Sequence, residues 1–401
     1  MIRFILVLYI LLLICSYGCD FIDSSNIEKL SINVAEVNNH VNLSEFVDSI
    51  SYIKLETNPN CLLGRIRQVI IKKNHIYILD ISSHAIFVFD KYGKFVSKLD
   101  KRGKGPEEYS SLGPTLVDDD EKYIELFTNT NIGYSRVRYS IPDFKQIEKV
   151  KIPGSRMNSV SYLDDNYYFS SWGLPSSPDV DVKEHCVVVL KDSTIVGTLI
   201  NKNVKASNHF YTPFLQPFTQ NDNKELFISV PYDKYFYKLA AHDAIPFLEL
   251  DFGRNGIREA IGKKTTDEQF EYIEKARNKA FFHLLSLNND QIMVINYYHK
   301  REEEASNFSK EDKRTYINLK HNNKILHTKK IINDITAFPH EIDINIAPLN
   351  NVVRDVWHDG YLVDIVMPYD VMKDGVKEIF TNEVGSVSIS DNPIIVLMKL
   401  N

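Results

Sequence analysis

The chain has 401 residues, and its 47 Lys+Arg and 53 Asp+Glu give a formal net charge of −6. This mildly acidic balance excludes the basic surface that nucleic-acid binding needs. Hydrophobic and charged fractions of 44% and 25% exclude a chain that is disordered as a whole. The 22 Phe and 22 Tyr against 12 Ala argue against an all-α fold, because aromatic residues suit a pleated sheet and alanine is the best helix former.

The first predicted element is a signal peptide at residues 1–18. Arg3 supplies a positive charge, and the largely apolar run Phe4 to Ile14 follows it. The run is too short for a membrane span of ~20 residues and has the length of a secretory h-region. Gly18 followed by Cys19 resembles a bacterial lipobox, which implies cleavage before Cys19 and lipid attachment to it. A plain signal peptide with an incidental cysteine is the alternative.

Residues 19–42 are mostly polar with weak periodicity, and we predict that they form a tether between the lipid and the folded body. The mature chain then keeps Cys61 and Cys186. Neither lies near a second cysteine or a histidine at metal-ligand spacing, so zinc and thiol-redox sites lack their ligands. We therefore predict two buried thiols, no metal and no cofactor.

The remainder, residues 43–401, is predicted to be a single domain of repeated β-units. The clearest unit has four apolar runs joined by hairpin-sized turns, namely Gln68–Ile71, His75–Asp80, Ala85–Asp90 and Phe95–Leu99. Such a unit predicts a four-stranded antiparallel sheet. Weaker copies follow, and six units of about 60 residues each suit the blades of a propeller with insertions.

One insertion has a helical pattern. Thr265 and Glu268 match a capping box, and apolar residues follow at helical spacing. The fold expected is therefore all-β, a six-bladed β-propeller with about four antiparallel strands per blade and one helix near residues 266–280.

Several motifs support this fold through a family resemblance. They are Ile53–Thr57, Leu63–Ile66, Ile76–Asp80, Phe87–Asp90, Gly93–Phe95, Arg102–Tyr109 and Leu250–Gly253. Together they resemble the six-bladed β-propeller lipoproteins of Bacteroidetes, which are related in shape to NHL and TolB-like propellers. The resemblance implies a closed toroid whose first and last strands share a blade, and a lipid-anchored outer-membrane position facing the periplasm or the cell surface. It implies no catalytic residues.

The sequence contains no serine-hydrolase elbow, P-loop or zincin motif, so we predict no catalytic and no metal-ligating residue. The candidate binding residues are Trp172, Trp357, Arg102 and Tyr109. Each tryptophan could stack on a sugar ring, and the alternative is that it fills the space between blades.

Two main hypotheses about function follow, beside a third possibility, a purely structural envelope component that would have no saturable ligand. The first is a lipid-anchored, non-enzymatic binding or scaffolding module for a protein partner or an extracellular polymer such as a polysaccharide, with a monomeric body. The alternative is a carbohydrate-active propeller enzyme, a glycoside hydrolase or lyase, that uses channel-facing carboxylates. Clustered acids in the channel with a stacked tryptophan would favour the enzyme, and a featureless channel would favour the binding module, because the fold alone does not decide function.

Overall fold

The computed structural model describes residues 27–153, 159–170, 185–201, 216–230, 233–241, 243–256, 268, 278–300, 312–346, 352–372 and 375–401. The strands in chain order are β1 Glu28–Ser31, β2 Val41–Asn42, β3 Val47–Lys54, β4 Ile66–Ile71, β5 His75–Asp80, β6 Ala85–Asp90, β7 Phe95–Leu99, β8 Thr115–Val117, β9 Tyr123–Thr130, β10 Gly133–Ser140, β11 Gln146–Lys151, β12 Val160–Leu163, β13 Asn166–Ser170, β14 His185–Lys191, β15 Thr194–Asn201, β16 Phe218–Gln220, β17 Leu226–Ser229, β18 Tyr235–Ala240, β19 Asp243–Asp251, β20 Lys279–Asn288, β21 Ile292–Lys300, β22 Lys313–Leu319, β23 Lys324–Thr328, β24 Ile331–Ile332, β25 Glu341–Ile342, β26 Val353–Arg354, β27 Trp357–His358, β28 Tyr361–Val366, β29 Glu378–Thr381, β30 Gly385–Ser388 and β31 Ile394–Leu400. The helical elements with bounds are short: 3₁₀ turns at Leu43–Glu45 and Gly253–Asn255, and the helix α1 at Pro368–Val371.

The described strands form seven sheets of three or more strands and one separate hairpin. In spatial order, sheet I is β26-β4-β5-β6-β7, sheet II is β8-β9-β10-β11, sheet III is β12-β13-β14-β15, sheet IV is β16-β17-β18-β19-β1, sheet V is β20-β21-β22-β23, sheet VI is β2-β24-β25, and sheet VII is β27-β28-β31-β3. The hairpin β29-β30 is inserted between the second and third strands of sheet VII.

Opposite faces of a sheet pack against different neighbours, and this packing arranges the sheets in a ring. In β5, Ile76 and Ile78 lie in a hydrophobic cluster with side chains of sheet VII, whereas Tyr77 and Leu79 lie in a cluster with side chains of sheet II. Successive side chains of a strand point to opposite faces. Since all four are buried, both faces of sheet I are covered. The all-β propeller arrangement predicted from the sequence is confirmed.

The blade count is seven, not the predicted six. The additional unit is sheet VI, whose strands have only two residues each. Two residues are too short to show the alternation by which a strand is recognised in a sequence. The other six sheets have four or five strands, which agrees with the prediction of about four strands per blade.

The ring closes where the two ends of the domain pair in sheet VII. Strand β3 is antiparallel to the C-terminal strand β31, with Lys54 opposite Ile394 and Ser49 opposite Lys399. The first strand of the domain predicted at residues 43–401, which is β3, and the last strand, β31, therefore share one blade, as the family resemblance implied.

Residues 28–42, here called the N-terminal strap, cross three sheets before the chain enters sheet VII. Strand β1 pairs in parallel with β19 of sheet IV, Asn38 bridges Thr328 at the end of β23, and β2 pairs in parallel with β24 of sheet VI. The predicted tether of residues 19–42 is therefore wrong over the strap. Residues 19–26 and the predicted signal peptide lie outside the described residues.

Buried apolar side chains hold the strap in place. Ile32 and Val34 are 4% and 8% exposed, and they belong to a hydrophobic cluster with Phe236 and Leu248. With Leu30 they form an alternating pattern of only three apolar positions, which is too short to stand out against the polar residues around it.

The helix predicted over residues 266–280 falls mostly outside the described residues. Within that range the structure describes Glu268, which is helical, and residues 278–280. Its last two positions, Lys279 and Ala280, belong instead to β20, where they pair with Lys300 and His299. The helical spacing extended into this strand because apolar residues continue across the boundary. No helix in the described part of the chain has the length and apolar character needed to cross a membrane.

Cys61 and Cys186 are both buried thiols that form no disulfide bond among the described residues, which confirms the predicted pair of buried thiols. The Cys61 thiol donates a hydrogen bond to the carbonyl oxygen of Glu56 at 3.1 Å. Burial raises the pKa of this thiol, so it stays protonated and unreactive near neutral pH.

A buried histidine makes the stability of the fold depend on pH. Burial lowers the pKa of His327 to about 4, with a further contribution from Arg314, against about 6.5 in an unfolded chain. The unfolded chain therefore takes up the proton first as the pH falls, and stability is lost between about pH 6.5 and pH 4. We expect this residue to lower the free energy of unfolding by about 2 kcal/mol between pH 7 and pH 5.

Urea unfolding of the wild type and of His327→Gln at the two pH values measures this effect. Glutamine keeps a polar partner for the Tyr297 hydroxyl, which lies 2.7 Å from Nε2 of His327, and removes the titration. The exposed His321 provides the control His321→Gln. An unchanged pH dependence in His327→Gln would contradict the assignment.

Candidate functional site

The innermost strands of the sheets surround a narrow central channel. It contains a cavity of about 60 Å³ and a second of about 20 Å³, and Gln68 and Gln216 line both. The remaining lining residues are mostly polar and uncharged or apolar, among them Thr115, Ser159, Thr219, Ser286, Val69, Phe218 and Leu287. One water molecule needs about 10–15 Å³ of such space, so the channel has room for a few waters.

Contacts between inner hairpins cross one end of the channel. The Trp357 indole N–H of sheet VII donates to Oδ2 of Asp222, in a hairpin of sheet IV, at 2.7 Å. The Asp119 carboxylate of sheet II accepts Lys72 of sheet I at 2.7 Å and Lys224 of sheet IV at 2.6 Å. Burial acts to raise the pKa of Asp119, but the two lysines outweigh it and lower the pKa to about 2. Since sheets IV and VII are not neighbours in the ring, Trp357 spans the channel mouth.

Asp355 is the only carboxylic acid among the described residues that line these two cavities. Its side chain is open to the channel solvent, yet the surrounding sheets enclose it. The resulting desolvation raises its pKa, while Lys72 and His358 act in the opposite direction. An acid with a raised pKa in a cavity has the character of a proton donor. Hydrolysis of a glycosidic bond, however, needs a second carboxylate opposite it.

Arg354, next to Asp355, holds β26 in place from inside the protein. Its Nη2 lies 3.0 Å from Oδ1 of Asp364, and both side chains are 2% exposed. Burial raises the pKa of Asp364, and Arg354 opposes that rise. Oδ2 of Asp364 also accepts the backbone N–H of Asp343 at 2.8 Å. Nε of Arg354 has no hydrogen-bond partner among the described residues, but the ion pair itself is buried within the fold, so it has a structural role.

A larger opening lies outside the ring, at the seam between sheets VII and I. This seam groove has a volume of about 550 Å³. Strand β3 and the residues after it form one wall, and the turn between β6 and β7 forms the other. Its lining residues are Tyr52, Ile53, Lys54, Leu55, Glu56, Thr57, Lys91, Tyr92, Lys94 and Asp391.

The β6–β7 turn is held rigidly against this wall. One oxygen of Asp90 accepts the backbone N–H groups of Tyr92 and Lys94, both at 2.9 Å. The carbonyl oxygen of Gly93 accepts the backbone N–H of Glu56 at 2.7 Å. Gly93 has φ +84°, and a Cβ there would come within 2.4 Å of the Lys54 carbonyl oxygen. The close approach and the positive φ both require glycine.

The carboxylates of the groove are already occupied by partners within the protein. Asp391 pairs with Lys54 at 2.7 Å. Glu56 accepts the backbone N–H of Phe95 at 3.0 Å and the side chain of Asn58 at 2.8 Å, and these hydrogen bonds lower its pKa. Tyr92 is 72% exposed. The groove therefore offers an aromatic ring and cationic side chains to a ligand.

Comparison with known proteins identifies the family. A profile described as a domain of unknown function, DUF4934, matches residues 29–399. The chain belongs to the DUF4934 family. The match begins in β1 and ends in β31, so the DUF4934 domain includes the N-terminal strap as well as the closing strand.

Solved structures resemble this DUF4934 chain at low sequence identity, and the first of them shares its fold. A Bacteroides fragilis protein described as a candidate exported protein has 18% identity and a TM-score of 0.66, covering 94% of this chain and 99% of its own. A member of the DUF4221 family from Bacteroides vulgatus has 9% identity and a TM-score of 0.47, covering 88% of this chain and 97% of its own. A search of curated proteins found no match.

The predicted binding residues of the DUF4934 domain have separate locations. Tyr109 is fully buried, and its hydroxyl donates to the carbonyl oxygens of His84 at 2.8 Å and Leu99 at 3.2 Å. Burial raises its pKa to about 12. Tyr109 therefore supports the chain after β7 and is not a surface contact for a ligand, which corrects the sequence interpretation. Arg102 is exposed, and its backbone bridges that of Tyr109.

Trp357 is at the channel mouth, where its indole group is bonded to Asp222 and packs partly against the core. The sequence offered two roles for Trp357, stacking on a sugar ring or filling the space between blades. The observed position, bonded across the channel mouth to Asp222, matches neither role fully. Trp172 and Cys19 lie outside the described residues.

The seam groove of the DUF4934 domain was missed at the sequence level. Lys91–Lys94 was recognisable as a turn. Nothing in its local sequence indicates that it packs against β3, a strand whose pairing partner is the C-terminal strand β31. The positive charges and exposed aromatic ring within a four-residue turn were the available signal.

Proposed function

We propose that this protein is a lipid-anchored cell-envelope β-propeller that binds a protein partner or an extracellular polymer in the seam groove, without catalysing a reaction. The difference in size between the two openings carries this proposal. Ligand pockets typically measure about 300–1,000 Å³. The groove, at about 550 Å³, is within that range, and the channel cavity of about 60 Å³ is far below it.

The location in the envelope is supported by the N-terminal sequence, in which an h-region precedes the lipobox-like Gly18-Cys19. Structural similarity to a Bacteroides fragilis protein described as a candidate exported protein is consistent with that compartment. We propose that the outer membrane holds the anchor and that the body is monomeric.

A glycoside hydrolase or lyase acting in the channel is less well supported. Among the described residues that line the two cavities, Asp355 is the only acid. The Asp119 carboxylate near it is held in ion pairs with Lys72 and Lys224, and the cavity volume is too small for a sugar ring. The geometry therefore favours binding over turnover.

Site-specific photo-crosslinking tests the proposal. A photoreactive amino acid is placed at position 92 in the full-length protein in its native cells, with a matched probe at the exposed Tyr369, outside the groove. We expect a saturable adduct at position 92 and none at 369. Cys19→Ala should move the protein from the membrane to the soluble fraction.

Turnover is tested separately with the purified protein and envelope polysaccharides. We expect no release of shorter products. Product release that disappears in Asp355→Asn would overturn the proposal in favour of the enzyme.

A further inference from the structure

In the seam groove, the carboxylates have partners within the protein, whereas two of the lysines form no ion pair with a described carboxylate. The partners of the two carboxylates are described above, and Lys54 is paired with Asp391 and donates to the carbonyl oxygen of Ser386. Lys91 and Lys94 are both exposed, and neither forms an ion pair with a described carboxylate within 4.0 Å. The groove therefore has two cationic groups available for a ligand.

These two lysines flank an exposed aromatic ring. Lys91 Nζ lies 5.2 Å from the centroid of the Tyr92 ring, and Lys94 is two residues further along the same turn. Asp90 and Gly93 fix the backbone of the turn, so little backbone conformational entropy is lost when a ligand binds to it. The turn therefore presents an exposed aromatic ring together with two exposed lysines, one of which lies over the ring.

A ligand that satisfies both features carries an apolar ring face and an anionic group on the same unit. The C–H face of a pyranose can pack on a tyrosine ring, whose hydroxyl also offers a polar group. A carboxylate on the sugar accepts charge-assisted hydrogen bonds from lysine, which are stronger than neutral ones. A uronic acid combines these features in one residue, and a polymer repeats it along an open groove.

An acidic peptide fits this wall less well. Peptides commonly bind at a sheet edge by adding a strand, and β3 is the outermost strand of sheet VII. Beside the groove, however, the turn already occupies that edge, because Gly93 accepts the Glu56 N–H and packs against the Lys54 carbonyl. The available recognition is by side chains.

We propose that the seam groove binds an acidic, uronate-bearing polysaccharide, with Tyr92 packing on a sugar ring and Lys91 and Lys94 pairing with its carboxylates. This assignment rests on the proposed binding function of the same groove and specifies its ligand. The charge-dependent contribution should weaken with salt, because these lysines are exposed.

Calorimetric titration of the purified Cys19→Ala chain with oligogalacturonate tests the assignment. The same oligomer with methyl-esterified carboxylates retains the rings and removes the charge, and poly-glutamate supplies charge without sugar rings. We expect binding of oligogalacturonate, at least tenfold weaker binding of the ester, and weaker binding of poly-glutamate. Equal binding of ester and acid, tighter binding of poly-glutamate, or no binding of oligogalacturonate at millimolar concentration would each overturn it.

Matched variants locate the site. Lys91→Ala/Lys94→Ala and Tyr92→Ala should each weaken binding at least tenfold, and Tyr92→Phe should retain most of it. Lys145→Ala, at an exposed turn of sheet II, should bind as the wild type does, and unchanged binding by all groove variants would exclude this groove. If oligogalacturonate fails while the probe at position 92 captures a protein, the sugar assignment is wrong and the proposed function stands. If oligogalacturonate does not bind and the probe at position 92 captures nothing, both the sugar assignment and the proposed binding function are wrong.

Discussion

Arg354→Met is expected to lower the free energy of unfolding by about 3–5 kcal/mol, as is usual when one partner of a buried ion pair is removed. Arg354 and Asp364 are 3.0 Å apart and both are 2% exposed, so the variant leaves a buried carboxylate without its partner. Burial already raises the pKa of Asp364, and loss of the arginine raises it further. A folded state with a raised carboxyl pKa loses stability as the pH rises, so the defect should be larger at about pH 8 than at about pH 5. Urea unfolding at both pH values measures it.

Two further variants test the cause. Arg354→Met/Asp364→Asn removes both charges and keeps a side-chain acceptor near the backbone N–H of Asp343, so it should recover at least half of the loss. Lys324→Ala breaks the exposed pair with Glu45, whose side chains are 39% and 38% exposed, and should cost less than about 1 kcal/mol. If Arg354→Met costs no more than Lys324→Ala, the buried pair does not stabilise the fold.

Ile32→Ala is expected to lower the free energy of unfolding by about 2–5 kcal/mol. Ile32 is 4% exposed and packs with Phe236 and Leu248, so the shorter side chain leaves a cavity between the strap and sheets IV and V. A polar tether would show no effect at this position. Chemical denaturation distinguishes the two cases.

The control for this variant is Leu62→Ala. Leu62 is 55% exposed, and exposed substitutions of this kind usually change stability by no more than about 0.5 kcal/mol. Equal stability of the Ile32 and Leu62 variants would mean that the strap does not contribute to the folded state.

The strands of sheet I could be located from the sequence because their signal is local. The predicted runs His75–Asp80, Ala85–Asp90 and Phe95–Leu99 coincide with β5, β6 and β7. Alternation of side chains between two faces is a property of consecutive residues, and the turns between these runs are short enough to fix hairpins. The burial of Cys61 and Cys186 followed from ordinary preferences of free thiols.

Sheet VI, the strap and the burial of Tyr109 could not be derived in this way. Val41 pairs with Ile331, 290 residues away along the chain, and the two-residue strands involved have no period of their own. Tyr109 lies in the connection after β7 and is fully buried. Tyrosine occurs in both buried and exposed positions, so the residue type alone did not predict its burial.

The sequence by itself determined the all-β class, the repeated hairpin units and the N-terminal lipobox-like pattern, because each depends on neighbouring residues. Only the tertiary structure decided that Trp357 reaches Asp222 across the channel and that the turn carrying Tyr92 faces β3 to form the seam groove. The alternation of residues along a strand shows which face of the sheet a side chain points to. Which distant segment packs on that face is determined only when the sheets close into a ring.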